Sequence, residues 1–536
     1  MDGYYDYQLL IKHILESGVN YAPKQEIVYR DKVRYTYRDL YERVRRLANA
    51  LEELGVKKGT KVAVLEWDTH RYLECYFAIP MMGAVLHTVN IRLSPEDILY
   101  TMNHAEDDIV LVNKDFVPLL EKLADKLTTV KKFVVLTDDE MPETSLTDIE
   151  YEEMLKNASK EYDFPDFDEN TMATLLYTTG TTGRPKGVWF THRKLVLHTL
   201  SVAVTLCGLR SIGRVTGDKE VYMPLTPMFH VHAWGIPYVM TLLGYKHVYP
   251  GRYEPPLIVD LIKKEGVTIS HCVPTVLQMV LDCVPEGEKL EGWKVVIGGS
   301  KLTKGLAMRA REKGVITYSG YGMSETCPIL TIATLKPHLL DIPEEQKIEY
   351  SIKTGIPIPL VYLRVVHEDF TDVKRDERDM GEIVVRAPWL TEGYLKDEEK
   401  TKELWANGWL HTGDIAVVDE EGYVTIVDRL KDVIKSGGEW ISTLTLENLL
   451  STHPKVKEVA VIGVPHEKWV ERPLAVIVPE GEKPTEEELR QYLMKFVEEG
   501  KITKWAIPDR FVFVDEIPKT SVGKIDKKVL KQKFTS

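Results

Sequence analysis

The sequence is poor in cysteine and glutamine, carries no excess of basic charge and holds no long apolar run. Each shortage removes a class of function. The five cysteines (Cys75, Cys207, Cys272, Cys283 and Cys327) are scattered, odd in number and never in CxxC or metal-ligand spacing. Nothing in that spacing points to a disulfide framework or thiolate metal site, and a reduced, cytoplasmic setting is expected. The formal charge of −13 argues against nucleic acid or an anionic membrane as the main partner, since polyanion binding needs basic surface. No apolar run reaches the roughly 18–20 residues that span a bilayer. The nearest, YFAIPMMGAVLHTV, is interrupted by Pro80 and Gly83. The opening MDGYYDYQLL is acidic and lacks the basic-then-apolar pattern of a secretion signal. Glutamine occurs only at Gln8, Gln25, Gln278, Gln346, Gln491 and Gln532, while Lys and Glu are abundant, a balance compatible with heat adaptation.

What remains is an ordinary globular composition, 44% hydrophobic and 28% charged over 536 residues, enough for several folding units. Strand-like and helix-like patterns alternate through most of the chain. RYTYRDLYERVRRLANALEELG places Leu40, Val44, Leu47, Leu51 and Leu54 on one helical stripe. Thr36 is the expected N-cap with Asp39 three residues on, and Gly55 the expected stop. KVAVLEW, DIVLVN, KFVVLT, VTISHCVP and WKVVIGGS read as buried strands, so layered α/β units with a largely parallel sheet are expected. After about Gly355 short strands separated by turns suggest a small β-barrel-like part. From about Leu430 a compact α+β domain follows, with Thr485 capping the helix in TEEELRQYLMKFVEEG. DRLKDVIKSGGEW reads either as a joint between domains or as an ordinary strand turn.

The stretch YTTGTTGRPKGV, Tyr177 to Val188, crowds hydroxyls and glycines around one lysine. It is not a Walker A loop, which needs G-x-x-x-x-G-K-[ST] and a following helix. Here Lys186 is followed by Gly187, and VWFTH reads as a strand, so a hairpin tip between ATLLYT and VWF is expected. Amides beside Gly180 and Gly183 can approach phosphate oxygens without a Cβ in the way. Thr178, Thr179, Thr181 and Thr182 add hydroxyls, and Lys186 a mobile positive charge.

This stretch resembles the signature of the adenylate-forming acyl-CoA synthetase superfamily, and further motifs follow in order over essentially the whole chain. PMFHVHAWG (Pro227–Gly235) resembles the acyl-pocket motif, GGSKL and YSGYGMSET the adenine and magnesium motifs, and GWLHTGDIA the ribose motif. DRLKDVIKSGGEWIS resembles the hinge and PKTSVGKID the catalytic-lysine motif. MFHVHAW and KSGGEWIS look like the long- and medium-chain fatty-acid CoA ligase branch. The resemblance implies a large N-terminal domain (1–429) and a small mobile C-terminal domain (430–536). It implies ATP and CoA as co-substrates and Mg2+ as cofactor. Lys524 would bridge the acid and the α-phosphate, with Lys186 on the leaving phosphates. Thr178–Gly183 would wrap phosphate, and Thr181 and Glu325 would hold magnesium. Gly299, Ser300, Ser319, Gly320, Tyr321, Gly322 and Ser324 would form the adenine slot, and Asp414 and Arg429 would hold the ribose. Lys431 would be the pivot, Lys435 and Trp440 nucleotide-side contacts, and Gly437 and Gly438 the CoA channel. His230 and Trp234 would line the acyl pocket, Trp234 as a gate or as core packing.

Two departures stand out. His232 occupies a position that varies in the family, and Thr178–Thr179 replaces the commoner Thr–Ser. A homodimer through the N-terminal segment is implied by analogy. Three alternatives share the motifs: an aryl-acid CoA ligase, a stand-alone adenylation domain loading a carrier protein, and a non-catalytic nucleotide-binding protein. The joint presence of Glu325, Asp414, Arg429, Lys431 and Lys524 argues against the last. Chain length of the acid is not legible, since one methylene is worth only ~1–3 kcal/mol of discrimination.

Overall fold

The computed structural model describes residues 6–178, 183–208, 219–519 and 525–534. By packing, the chain divides into two compact units, Met1–Tyr362 with Arg386–Leu410, and Leu363–Val385 with His411–Ser536. The β-rich stretch thus groups with the C-terminal segment. The expected boundary at 429/430 concerns motion, which packing does not test, and it returns with the proposed function.

Two sheets organise the first unit. One has six strands in the order Lys132–Leu136, Ile109–Asn113, Lys61–Leu65, Val85–Thr88, Met172–Tyr177 and Gly187–Thr191. The first five run parallel and only the last pair is antiparallel. Strands buried on both faces must be apolar without alternation, and Val62, Ala63, Val64 and Leu65 are all fully buried. The second sheet has nine strands, with Val221–Pro224, Ile269–Cys272, Lys294–Ile297 and Ile316–Gly322 adjacent and parallel at its centre. All the expected strands are present, in the layered α/β arrangement the alternation implied. The helix Tyr37–Glu53 begins with the reciprocal Thr36–Asp39 capping box. Its residues Leu40, Val44, Leu47 and Leu51 are fully buried. The apolar run around Pro80 is not a membrane segment: it closes a wholly buried helix, His70–Met81, and continues into the strand Val85–Thr88.

The second unit contains most of the strands Tyr362–Val366, Gly381–Arg386, Trp409–Val418 and Val424–Arg429, members of one five-stranded sheet in which the last two pair antiparallel. Its other sheet is built on the long hairpin Val456–His466 and Val470–Pro479. Alternation along those two strands sends Val461, Ala475 and Ile477 to one face with Leu446, Leu489 and Leu493. Ala460, Ile462, Leu474 and Val476 go to the other face with Leu530. Thr485 caps the helix Glu486–Glu498 as expected, again through a capping box, here with Glu488. Gly437 and Gly438, at φ 60° and 89°, form the two-residue connection between Ile434–Ser436 and Glu439–Ile441. Two successive positive φ values are what such a tight hairpin needs, so the local strand-turn reading of this stretch holds.

Candidate active site

The described ends of the Gly/Thr stretch belong to the hairpin of Met172–Tyr177 and Gly187–Thr191, with Tyr177 opposite Gly187. Thr178 N–H donates to Lys186 O at 2.9 Å, and Lys186 N–H donates to Thr178 Oγ1 at 3.3 Å. Thr179, Gly180, Thr181 and Thr182 lie outside the described residues. Gly183 has φ 105°, a conformation that L-residues with a Cβ avoid. Leu395 N–H donates to Gly187 O at 2.8 Å. The Lys186 ammonium lies 4.6 Å from the ring centroid of Tyr394, a distance at which a cation is attracted to the ring face.

Tyr394 connects the lysine to a carboxylate. Its hydroxyl donates to Glu325 Oε1 at 2.6 Å. Burial, then the Glu325 charge, pushes the phenol well above its ordinary range. Glu325 sits in the short turn Ser324–Thr326, held by Met323 N–H donating to Thr326 Oγ1 at 3.0 Å and by Thr391 N–H donating to Glu325 O at 2.9 Å. Glu325 is only 7% exposed and forms no ion pair among the described residues. A nearly buried carboxylate without a counter-cation is costly, and a hard cation with oxygen ligands satisfies it. Glu325 could supply one oxygen ligand to magnesium; among the described residues no group of three His, Cys, Asp or Glu gathers at one point.

Beside this turn lies a cavity of about 50 Å3 whose lining includes His230, Trp234, Gly299, Gly320, Tyr321 and Ser324. Gly322 lines it too. The parallel strands Lys294–Ile297 and Ile316–Gly322 present their C-terminal ends to it, the end at which open α/β sheets bind ligands. Trp234 sets the shape: a Cβ on Gly298 would meet Trp234 Cη2 at 2.9 Å, and one on Gly322 would meet Pro328 O at 1.8 Å. The Trp234 ring lies 5.1 Å from that of His271. Ser319, at the strand end, is 6% exposed, and its buried hydroxyl has no partner among the described residues. Ser300 is exposed and is not part of the lining.

The acyl-type motif takes an unexpected backbone form. Val231, His232, Ala233 and Trp234 have φ of 46°, 56°, 48° and 59°, and Gly235 has 72°. A left-handed turn costs L-residues roughly 1–2 kcal/mol each, so this one must be held from outside. Its glycine end is packed against His198, whose ring a Cβ on Gly235 would meet at 2.9 Å. His232 is fully buried, and neither ring nitrogen has a partner among the described residues. Burial pushes it down to about 3, so it is neutral.

The second unit carries its own polar cluster. Asp414 and Arg429 are cross-strand neighbours, with Arg429 Nε 2.9 Å from Asp414 Oδ1. Asp414 is 2% exposed. Gly413 N–H donates to Glu382 Oε1 at 3.0 Å, while His411 Nδ1 is 2.9 Å from the other Glu382 oxygen. Thr412 Oγ1 donates to Ile383 O at 2.8 Å and accepts from Asp414 N–H at 3.1 Å. Lys431 is exposed. Lys435 pairs with Glu368 and lies 5.4 Å from the Trp440 ring. Trp440 and Gly438 line a cleft of about 1360 Å3 within this unit. Gly437 is packed against Trp469. Lys524 lies outside the described residues.

Sequence reasoning missed Tyr394 and Glu382. Tyr394 meets its carboxylate across 69 positions and Glu382 meets Gly413 across 31. Neither has a local signal.

Residues 15–395 match the family described as AMP-binding enzyme, and residues 445–524 match the AMP-binding enzyme C-terminal domain. The chain is 46% identical to a long-chain-fatty-acid–CoA ligase of Thermus thermophilus, over 99% of this chain and 96% of that one. It is 39% identical to a 3-methylmercaptopropionyl-CoA ligase of Ruegeria lacuscaerulensis, over 98% and 97%. Among solved structures it is similar to ATP-bound MatB from Rhodopseudomonas palustris, with a TM-score of 0.80 and 26% identity over 99% of both chains.

Proposed function

The chain belongs to the AMP-binding enzyme family, and on that premise we propose that it is an ATP-dependent fatty acid–CoA ligase working in two half-reactions. A carboxylate is a poor electrophile because its leaving group would be oxide. Its attack on the α-phosphate of ATP gives an acyl-adenylate and expels pyrophosphate. The CoA thiol then displaces AMP. The observation that carries this reading is the nearly buried Glu325, bonded to Tyr394 and forming no ion pair among the described residues, with Lys186 beside the same phenol.

The first half-reaction brings two anions together, so positive charge must stand between them. Lys524 bridges the acid and the α-phosphate, and Lys186 holds the departing pyrophosphate. The amides and hydroxyls of Thr178–Gly183 grip the β- and γ-phosphates. Glu325 and Thr181 would hold Mg2+, which supplies charge neutralisation and orientation of the phosphates when bound. Tyr321 stacks on adenine against Gly299, with Ser319, Gly320, Gly322 and Ser324 completing the slot. Asp414 accepts from the ribose hydroxyls, and Arg429 orients it.

The second half-reaction requires Lys524 to leave. Residues 430–536 then turn about Lys431, bringing Gly437 and Gly438 to the thiol path. Lys435 and Trp440 act on the nucleotide side. The acid passes His230 and Trp234. A cavity of about 50 Å3 is far below the ~300 Å3 of a small-ligand site, so the Trp234 indole moves to admit the chain. No helix among the described residues is long and apolar enough to cross a membrane. A cytoplasmic homodimer completes the proposal.

The choice of fatty acids rests on the similarity to the Thermus ligase, and the Ruegeria relative makes chain length the property to measure. The test is CoA-dependent AMP release across saturated acids of increasing length, with an aryl acid for contrast. The expected result is turnover with aliphatic acids and little with the aryl acid. AMP release indifferent to CoA, or an aryl preference, contradicts the reading.

A further inference from the structure

The strained turn Val231–Gly235 is fixed at its entrance by three hydrogen bonds. Asp68 Oδ1 accepts from Met228 N–H at 2.8 Å, the Tyr76 hydroxyl donates to Met228 O, and Thr88 Oγ1 donates to Phe229 O at 3.0 Å. Of the three anchors only Asp68 is ionisable at ordinary pH. Its second oxygen accepts from Tyr253 Oη at 2.6 Å, and its own carbonyl accepts from Gly251 N–H at 2.8 Å. It is 3% exposed and forms no ion pair among the described residues.

An asparagine would fill the same place more cheaply. Its amide oxygen can accept from Met228 N–H, and its NH2 can donate to the Tyr253 oxygen, without the cost of burying a charge. A carboxyl kept where an amide suffices for folding points to a use beyond folding. The ionised form offers both oxygens as acceptors, and hydrogen bonds to a carboxylate are the stronger kind.

We propose that Asp68 is a positioning residue for the acid-binding turn, its carboxylate fixing the Met228 end so that His230 and Trp234 face the cavity. This rests on the proposed function, which assigns that turn to the acid. The groups around Asp68 are Glu66, Arg92, Tyr72, Tyr222, Tyr249 and Tyr253, with Tyr76 at the turn itself. Burial pushes the Asp68 carboxyl from 3.8 up to about 7, and Glu66 likewise rises to about 7. The carboxylate anchor is therefore complete above neutrality and weakens as pH falls through it. The stability sign is opposite. A carboxyl whose folded pKa is raised costs progressively more stability as pH rises from the unfolded to the folded value, and the full cost stands above the latter.

The experiment compares full-length wild type, Asp68→Asn and Asp68→Ala in pyrophosphate release, with KM for the acid and for ATP measured separately at about pH 6 and about pH 8. Hydrogen exchange of the Met228–Gly235 amides is followed on the same proteins. The expected result is a several-fold higher KM for the acid in both variants at the higher pH, with KM for ATP little changed. In wild type the KM for the acid rises as pH is lowered, and in Asp68→Asn that pH dependence disappears although Glu66 remains. The turn amides exchange faster in the variants, while Asp68→Asn melts at a higher temperature than wild type above neutrality. Equal changes in the two KM values, or no change in either, overturn the proposal. A wild type that makes no acyl-adenylate counts against the proposed function instead. Exchange of the turn then decides the role of Asp68: faster exchange in Asp68→Asn supports it, and unchanged exchange overturns it. Should Asp68→Ala fail to fold, Asp68→Asn carries the test alone.

Discussion

Glu325 in the first unit and Asp414 in the second are both nearly buried, at 7% and 2% exposed, yet their surroundings differ in kind. Asp414 lies beside the guanidinium of Arg429 on the neighbouring strand. Its turn is braced by Glu382, His411 and Thr412. Glu325 has a phenol and no ion pair among the described residues. One carboxylate is paired with a guanidinium, and the other forms no ion pair among the described residues. On the proposed function, the difference would separate recognition of a neutral, polar ribose from neutralisation of phosphate charge. A pre-paired aspartate can accept hydrogen bonds, whereas an unpaired glutamate can take a metal ion.

The largest effect that can break this comparison is expected from matched amide substitutions. Glu325→Gln should slow acyl-adenylate formation by about two to three orders of magnitude, the range for losing a stabiliser of transition-state charge. Its melting temperature should hold or rise, since a buried carboxylate without a cation is removed. Asp414→Asn should act mainly on nucleotide binding, raising KM for ATP about tenfold, the ~1–1.5 kcal/mol of one hydrogen bond. Equal effects of the two substitutions on the rate of adenylation would erase the distinction.

A smaller effect sharpens the same point. Tyr394→Phe keeps the ring under Lys186 but removes the hydrogen bond to Glu325. The expected loss is about tenfold or less in adenylation, in line with ~1 kcal/mol for a single bond, with an altered magnesium requirement. A loss as deep as that of Glu325→Gln would mean that the phenol itself contacts the reacting phosphates.

Much of this architecture is legible in the sequence where the cause is local. The capping boxes at Thr36 and Thr485 are written within four residues. The hairpin is legible because Gly187 and the β-branched, aromatic VWFT cannot continue a phosphate-binding helix. Gly437–Gly438 announces its own turn. What escapes is what the tertiary structure imposes. Nothing in PMFHVHAWG suggests four successive non-glycine residues at positive φ, since Val231 and Trp234 are types that avoid that region. Tyr394, Glu382 and Asp68 act on partners 69, 31 and 160 positions away. Their spacing carries no periodic signal. The motifs point to the nucleotide site, while the residues that hold those motifs in place are visible only in the fold.

The central claim is that one lysine on the C-terminal segment serves the first half-reaction and not the second. Lys524→Ala, assayed in each half-reaction separately, tests it most directly. The expected result is a loss of about three orders of magnitude or more in pyrophosphate release, with thioester formation from supplied acyl-AMP and CoA close to wild type. Equal loss in both half-reactions would contradict it.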